Sequence, residues 1–361
     1  MKVALILQEK PASEPSPPPA LLKKPRDVFD NLLGITDNSS AKGDVSKSPV
    51  KKKPYIKTPK EGGTRKIILL FMAEKVPENH TNIQRIMEIL GLQEFQSIDL
   101  TLSSDLKLIN IICGLQSHSS TYSCAFCEIP TKGPDAYSGQ ANARTIGSLK
   151  EWHSKFVSAG SKTKNAKNFK SVVNRPLLKG PDDMMISKMI NIPELHLYLG
   201  LGNKIFDECH TKTIELKAAG LMRQTLYQWA NAPPRNIVRV NYHGGQLEGP
   251  TLKKLLTYTE PLTNFLPLQL KKYGIALKAL DTVAKSCFGM ELQKNWKEKH
   301  EDFVRCFLEL EICKFPKYHI FETHVPEFIE ESNHSLGRYS EVSKIVDLKL
   351  GKSLIRNCFF L

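Results

Sequence analysis

The stretch DLKLINIICGLQSHSSTYSCAFC, residues 105–127, decides how the rest of the chain is read. It opens on Asp105, at the end of a polar step with Ser103 and Ser104. An apolar run from Leu106 to Cys113 follows, and the stretch closes on a Cys-x-x-Cys pair, Cys124 and Cys127. Much later stands a His-x4-His pair, His319 and His324, in KYHIFETHVPEF. Two thiolates and two imidazoles are a usual donor set for structural Zn2+. Cys127 and His319 are 192 residues apart (319 minus 127), so the four do not make a small zinc finger. A shared ion would clamp distant segments, and its binding energy would be folding energy. The competing reading is two unrelated pairs, buried thiols in one place and surface histidines in another. A redox Cys-x-x-Cys fits less well, because Glu128 and Pro130 follow where a thioredoxin-like helix would start.

Outward from this stretch, the preceding residues alternate between strand and helix patterns. RKIILLFMAE holds an uninterrupted apolar run from Ile67 to Met72, which predicts a buried strand. Ile83, Ile86, Met87 and Leu90 recur at helical spacing, and Gly91 stops the helix. Ile98 to Leu102 alternates as a strand does. Strand, helix, strand, acid, helix is an α/β order.

Beyond Cys127 the pattern turns polar, then helical. Residues 129–180 read as loop-rich, with one helix around Leu149–Val157 whose inner face holds Trp152 and Phe156. KTKNAKNFK, residues 162–170, reads as a charged, exposed segment. From Ile192 the chain reads as helical: Pro193 and Glu194 open IPELHLYLGLGNKIFDE, with Leu195, Leu199, Ile205 and Phe206 on one face. His196 is a metal or catalytic candidate there, although such a histidine is more often a satisfied core residue. Gly200 and Gly202 predict a kink or the close approach of another backbone. VNYHGGQLEGPTLKKLL reads as a Gly-rich loop entering a helix; a phosphate could sit at its start, and Lys253 and Lys254 are candidates for nucleic-acid contact or a solvated face. Residues 261–311 read as helical with a break near Gly289, and Phe303, Phe307 and Leu310 share one side.

Composition bounds the rest. The chain has 361 residues, 41% of them hydrophobic, enough for a sizeable core. Its net charge of +14 favours a polyanionic partner such as DNA. Its 8 Cys are scattered. MKVALI is too short an apolar run for a signal peptide, and no run is long enough to span a membrane. A reducing compartment, nucleus or cytoplasm, is expected, with the nucleus favoured. Residues 1–64 read as a low-complexity tail: PASEPSPPPALLKKP is proline-rich, and Lys51, Lys52, Lys53, Lys57 and Lys60 form a basic cluster that suits nuclear import, phosphate contact or a solvated linker.

GLQSHSSTYSCAFC with Asp105 ahead of it, VNYHGGQLEGPTLKKLL (240–256) and KYHIFETHVPEFIEE (317–331) resemble segments of Transib-like transposases and the V(D)J recombinase catalytic subunit, and VPENHTN (76–82), PELHLYLGLGN (193–203) and LGRYSE (336–341) resemble segments of transposon-derived proteins in invertebrate genomes. The resemblance covers about residues 65–345. It implies an RNase H-like fold in which three acidic residues hold two Mg2+ ions for DNA strand transfer. It also implies a structural Zn2+ on Cys124, Cys127, His319 and His324, and members of that family often dimerise. Asp105 matches the second acid. The first acid belongs on an opening strand, and residues 1–64 lack its motif. The third should stand where this chain has Lys344; Glu341 and Asp347 are the substitutes available. A helix turns about 100° per residue, so neither takes the same direction.

The fold expected is therefore α/β, an incomplete RNase H-like core with a large, mostly helical zinc-linked insertion. The divisions are a tail (1–64), core with the Cys pair (65–128), helical insertion (129–316), and the His pair with a truncated C-terminal helix (317–361). The function expected is that of a transposase-derived zinc protein without strand-transfer activity, with residual nucleic-acid binding. The alternatives are an active metal-dependent nuclease using Asp105 and Glu341, and a zinc-organised scaffold for another protein.

Overall fold

Ile67–Ala73, His80–Ile89, Leu100–Ser103 and Leu106–Ile112 form strand, helix, strand and helix, the order read from the sequence. The structure is a computed structural model, which describes residues 3–9, 67–73, 77–89, 100–239 and 246–339. Glu341, Lys344, Asp347, Gly244, Gly245 and the basic cluster at 51–60 lie outside the described residues.

The described residues are mostly helical, with one small sheet among them. Val3–Glu9 (β1) stands between Ile67–Ala73 (β2) and Leu100–Ser103 (β3), antiparallel to both. Val3 pairs with Ala73 and Gln8 with Ile67, with a bulge between Leu5 and Ile6. Ile6 pairs with Ser103 and Glu9 with Leu100. β2 and β3 therefore run the same way on either side of β1, joined through the helix His80–Ile89 (α1). The expected tail thus contributes a central strand. VALILQE is β-branched and apolar at its start, as a sheet centre requires. Leu102 adds a parallel bridge to Ile190: its N–H donates to the Met189 carbonyl, and its own carbonyl accepts from Asn191, both at 2.8 Å.

Leu106–Ile112 (α2) follows β3 directly, capped by Asp105, and buries Leu108, Ile109 and Ile112. It ends at Gly114, whose φ is +74° and where a Cβ would meet the Asn174 carbonyl oxygen at 2.1 Å. Only glycine fits that turn. Ile146–Ser158 (α3) opens on a reciprocal Thr145–Ser148 capping box and buries Ile146, Leu149 and Phe156; Trp152 is half-buried.

The helical part is centred on Glu194–Ala218 (α4), which starts directly after Pro193. Around it and one another pack Leu226–Asn231 (α5), Gly249–Leu256 (α6), Thr259–Phe265 (α7), Lys271–Cys287 (α8) and Trp296–Leu308 (α9). Both glycines of α4 serve close approach: a Cβ would fall 2.2 Å from Lys317 Cδ at Gly200, and 2.5 Å from Leu252 Cδ2 at Gly202. Phe303, Phe307 and Leu310 are buried together, as their spacing predicts. Among the described residues no helix is long and apolar enough to cross a membrane.

Candidate metal centre

The first two donors sit on a loop. After Gly114 the chain leaves α2, and Cys124 and Cys127 are both buried in the segment 122–127. The loop has little regular structure, so its carbonyls need partners. Arg144 supplies them. Its side chain is fully buried; Nε donates to the Cys124 carbonyl at 2.9 Å and the Cys127 carbonyl at 3.1 Å. Its Nη2 donates to the carbonyls of Lys170 at 3.0 Å and Tyr122 at 3.3 Å.

The other two donors sit on one helical rod. Pro316–His319 (α10) passes into a π-helical turn, Ile320–His324, and on into Val325–Ser332 (α11). In an α-helix, residues five apart point about 140° away from each other. The π turn bonds residue i to i+5, as the Val325 N–H to the Ile320 carbonyl does, and brings the five-apart histidines back to one side. Their ring centroids are 5.0 Å apart.

The two halves meet. Cys124 Sγ is 3.5 Å from His324 Nε2, and Cys127 Sγ is 3.2 Å from His319 Nε2. All four donor atoms lie within 4.8 Å of one another, and all four residues are buried. A tetrahedral ion with Zn–S of about 2.3 Å and Zn–N of about 2.0–2.1 Å implies S···N separations near 3.5–3.6 Å. The group can therefore hold a metal ion such as zinc. His324 Nδ1 lies 2.8 Å from Glu327 Oε2, the outer carboxylate that orients a ligating imidazole. Among the described residues no other group of three or more His, Cys, Asp or Glu donors converges in this way.

Electrostatics point the same way. Burial opposes ionisation of Cys124, yet hydrogen bonds with Cys127, His319 and His324 hold its thiol well below the ordinary value. The hydrogen bond to Cys124, together with burial, pushes Cys127 up. Burial would lower His324, but its hydrogen bonds to Cys124 and Glu327 raise it to about 9.

The other expected site residues are dispersed or tied up. Asp105 is the N-cap of α2: its Oδ1 accepts from the Leu108 N–H at 2.8 Å. His196 is half-buried near it, lowered by burial, with Asp105 opposing and Lys317 reinforcing that shift. Lys317 is itself lowered by burial. Glu194 is buried in the first turn of α4. Lys253 and Lys254 are exposed on α6, over its buried Leu252, Leu255 and Leu256. Arg144 had no signal in spacing, since a lone arginine between loops matches no motif. No protein-family model matches the chain, and comparison with curated proteins finds no match.

Proposed function

We propose that this chain is a zinc-organised protein of transposase descent that no longer carries out strand transfer. The observation that carries the zinc reading is the convergence of Cys124, Cys127, His319 and His324, with donor atoms within 4.8 Å, from segments 192 residues apart. Four protein donors around one point close the coordination shell and leave no open position for substrate, so the ion is structural. Its role is to fasten the loop behind α2 to the rod α10–α11.

The loss of strand transfer is supported by the surroundings of Asp105. Two-metal chemistry needs several carboxylates on the ions, free to bind them. Here one oxygen of the Asp105 carboxylate is engaged in capping α2. The RNase H-like ancestry rests on the sequence resemblance and on the β2–α1–β3–α2 order around Asp105.

The test is zinc content per chain in purified protein, with Cys127→Ser beside it. One zinc per chain, lost in the variant together with a fall in Tm, is expected. A soluble, folded chain with no zinc would overturn the reading.

A further inference from the structure

Residues 163–170 read TKNAKNFK, a triplet pattern in which lysine stands at every third position. The pattern fits neither the 3.6-residue period of an α-helix nor the two-residue period of a strand. It fits a 3-10 helix, with 3.0 residues per turn. That is the structure found: Thr163–Phe169 forms seven residues of 3-10 helix, where runs beyond about four are uncommon.

Three rows result. Ala166 is fully buried, and Phe169 packs edge-on against Phe156 of α3 with centroids 5.7 Å apart. Thr163, in the same row, is tied by its carbonyl to Gln116 Nε2 at 3.1 Å. The second row is Lys164 and Lys167, both exposed, leading to Lys170 at the C-cap. The third is Asn165 and Asn168, exposed beside them. With about 2.0 Å rise per residue, Lys164 and Lys167 are anchored about 6 Å apart on one line. Residues 152–181 hold seven Lys and Arg and no Asp or Glu. Among the described residues no carboxylate pairs with Lys164 or Lys167, so eclipsed like charges repel along the ridge. The base is firm: the Lys170 carbonyl is held by Arg144, and the Gln116 N–H donates to the Ser171 carbonyl at 2.9 Å.

We propose that this Lys164–Lys167 ridge, flanked by Asn165 and Asn168, is a binding surface for the phosphate backbone of duplex DNA. Parallel rows of ammonium and amide donors suit phosphate oxygens, which are contacted without reading sequence. The ridge exposes no leucine or aromatic residue to enter a lipid layer, which separates it from an amphipathic membrane helix. It offers no free aromatic face on which unpaired bases would stack. Recognition of an RNA duplex runs across 2′-hydroxyls of its minor groove, a breadth that one straight row does not supply. The inference goes beyond the zinc clamp and does not depend on it.

The experiment is fluorescence anisotropy of a short labelled DNA duplex with the full chain, between about 50 and 200 mM salt. Wild type, Lys164→Ala/Lys167→Ala and Lys253→Ala/Lys254→Ala are compared, with zinc content and Tm recorded for each. The ridge variant should lower the slope of log K against log salt by about 2, about one per lysine, and weaken binding about tenfold or more at the lowest salt. The other pair removes the same charge and should change both much less. Its zinc content and Tm should match wild type, which keeps this result separate from the fate of the zinc reading. Equal effects of the two pairs, an unchanged slope, no DNA binding, tighter binding to an RNA duplex, or ridge-dependent binding to anionic vesicles in place of DNA would each overturn the proposal.

Discussion

His300 Nε2 lies 2.9 Å from the carbonyl oxygen of Phe321, inside the π turn that carries both imidazoles. The relationship follows from Pro326. In the i to i+5 pattern begun by Ile320 and Val325, the next donor would be residue 326, and proline has no N–H. The freed Phe321 carbonyl is buried and would stay unpaired. A histidine from α9 supplies the missing donor and stacks on the Phe321 ring, centroids 4.6 Å apart. His300→Leu should therefore cost about 1–3 kcal/mol, read as a shift in denaturant midpoint. It should also weaken zinc retention against a chelator, because the turn sets the spacing of His319 and His324. His300→Gln should recover part of both. Unchanged zinc retention in His300→Leu would show that the turn holds its shape without this bond.

The same histidine gives stability a pH dependence. Burial lowers its pKa, with the Phe321 hydrogen bond and nearby Glu301 and Glu322 opposing. A depressed folded-state pKa means that the unfolded chain binds the proton more readily. Its contribution is then fully present above the unfolded value of about 6.5 and is lost as pH falls through the folded value. Wild type should lose more stability than His300→Gln as pH falls below about 6.5. Parallel curves for the two proteins would remove His300 as the source.

Arg144 should behave as a structural cation. It is fully buried and bonds four main-chain carbonyls through one planar fork. Arg144→Met leaves those carbonyls without a donor and should cost about 3–5 kcal/mol. Arg144→Lys should not rescue it, since an ammonium on a flexible stem cannot reach both ends of the fork. Thermal melts of zinc-loaded protein decide the matter; full rescue by lysine would mean that charge alone is needed.

Asp105 separates a structural role from a catalytic one. As a helix cap it should tolerate Asp105→Asn with little change in Tm, because asparagine caps as well as aspartate. Asp105→Ala should cost about 1 kcal/mol. Neither variant should alter DNA nicking in Mg2+ or Mn2+, since the wild-type chain should show none. Nicking by wild type that vanishes in Asp105→Asn would restore the nuclease reading.

At Gly114 the backbone is left-handed and the Asn174 carbonyl leaves no room for a Cβ. Gly114→Ala should destabilise by about 1–3 kcal/mol from conformation alone, and by more once the chain shifts to relieve the contact. A melt within 1 °C of wild type, roughly the scatter of such a measurement, would contradict the tight turn.

The donors of the metal centre could be read from the chain because cysteine and histidine pairs are rare and their spacing is chemically constrained. What joins them was hidden. A five-residue gap between histidines contradicts the α-helical period, and only a π turn with a proline after it resolves that. Arg144 carries no local pattern, because its partners are main-chain carbonyls of any residue type. The strand order around Asp105 was legible from apolar runs, whereas Val3–Glu9 is one short run beside a proline-rich segment, and its place depends on pairing with distant strands. TKNAKNFK could be read as exposed from its lysines; that its period is three becomes meaningful only once the helix type is known.

The distance in sequence between the two halves of the metal centre also sets an order of events during synthesis. At about 5–20 residues per second, His319 leaves the ribosome roughly 10–40 s after Cys127. Arg144 and Lys170 emerge early in that interval, so the loop around the two thiols can close on the guanidinium while the imidazoles do not yet exist. For that time the cysteines are a two-toothed chelator, open to oxidants and to the wrong ion. A metal ion that takes this site meets either a half-site held ready by an arginine or a finished fold that it must enter from outside.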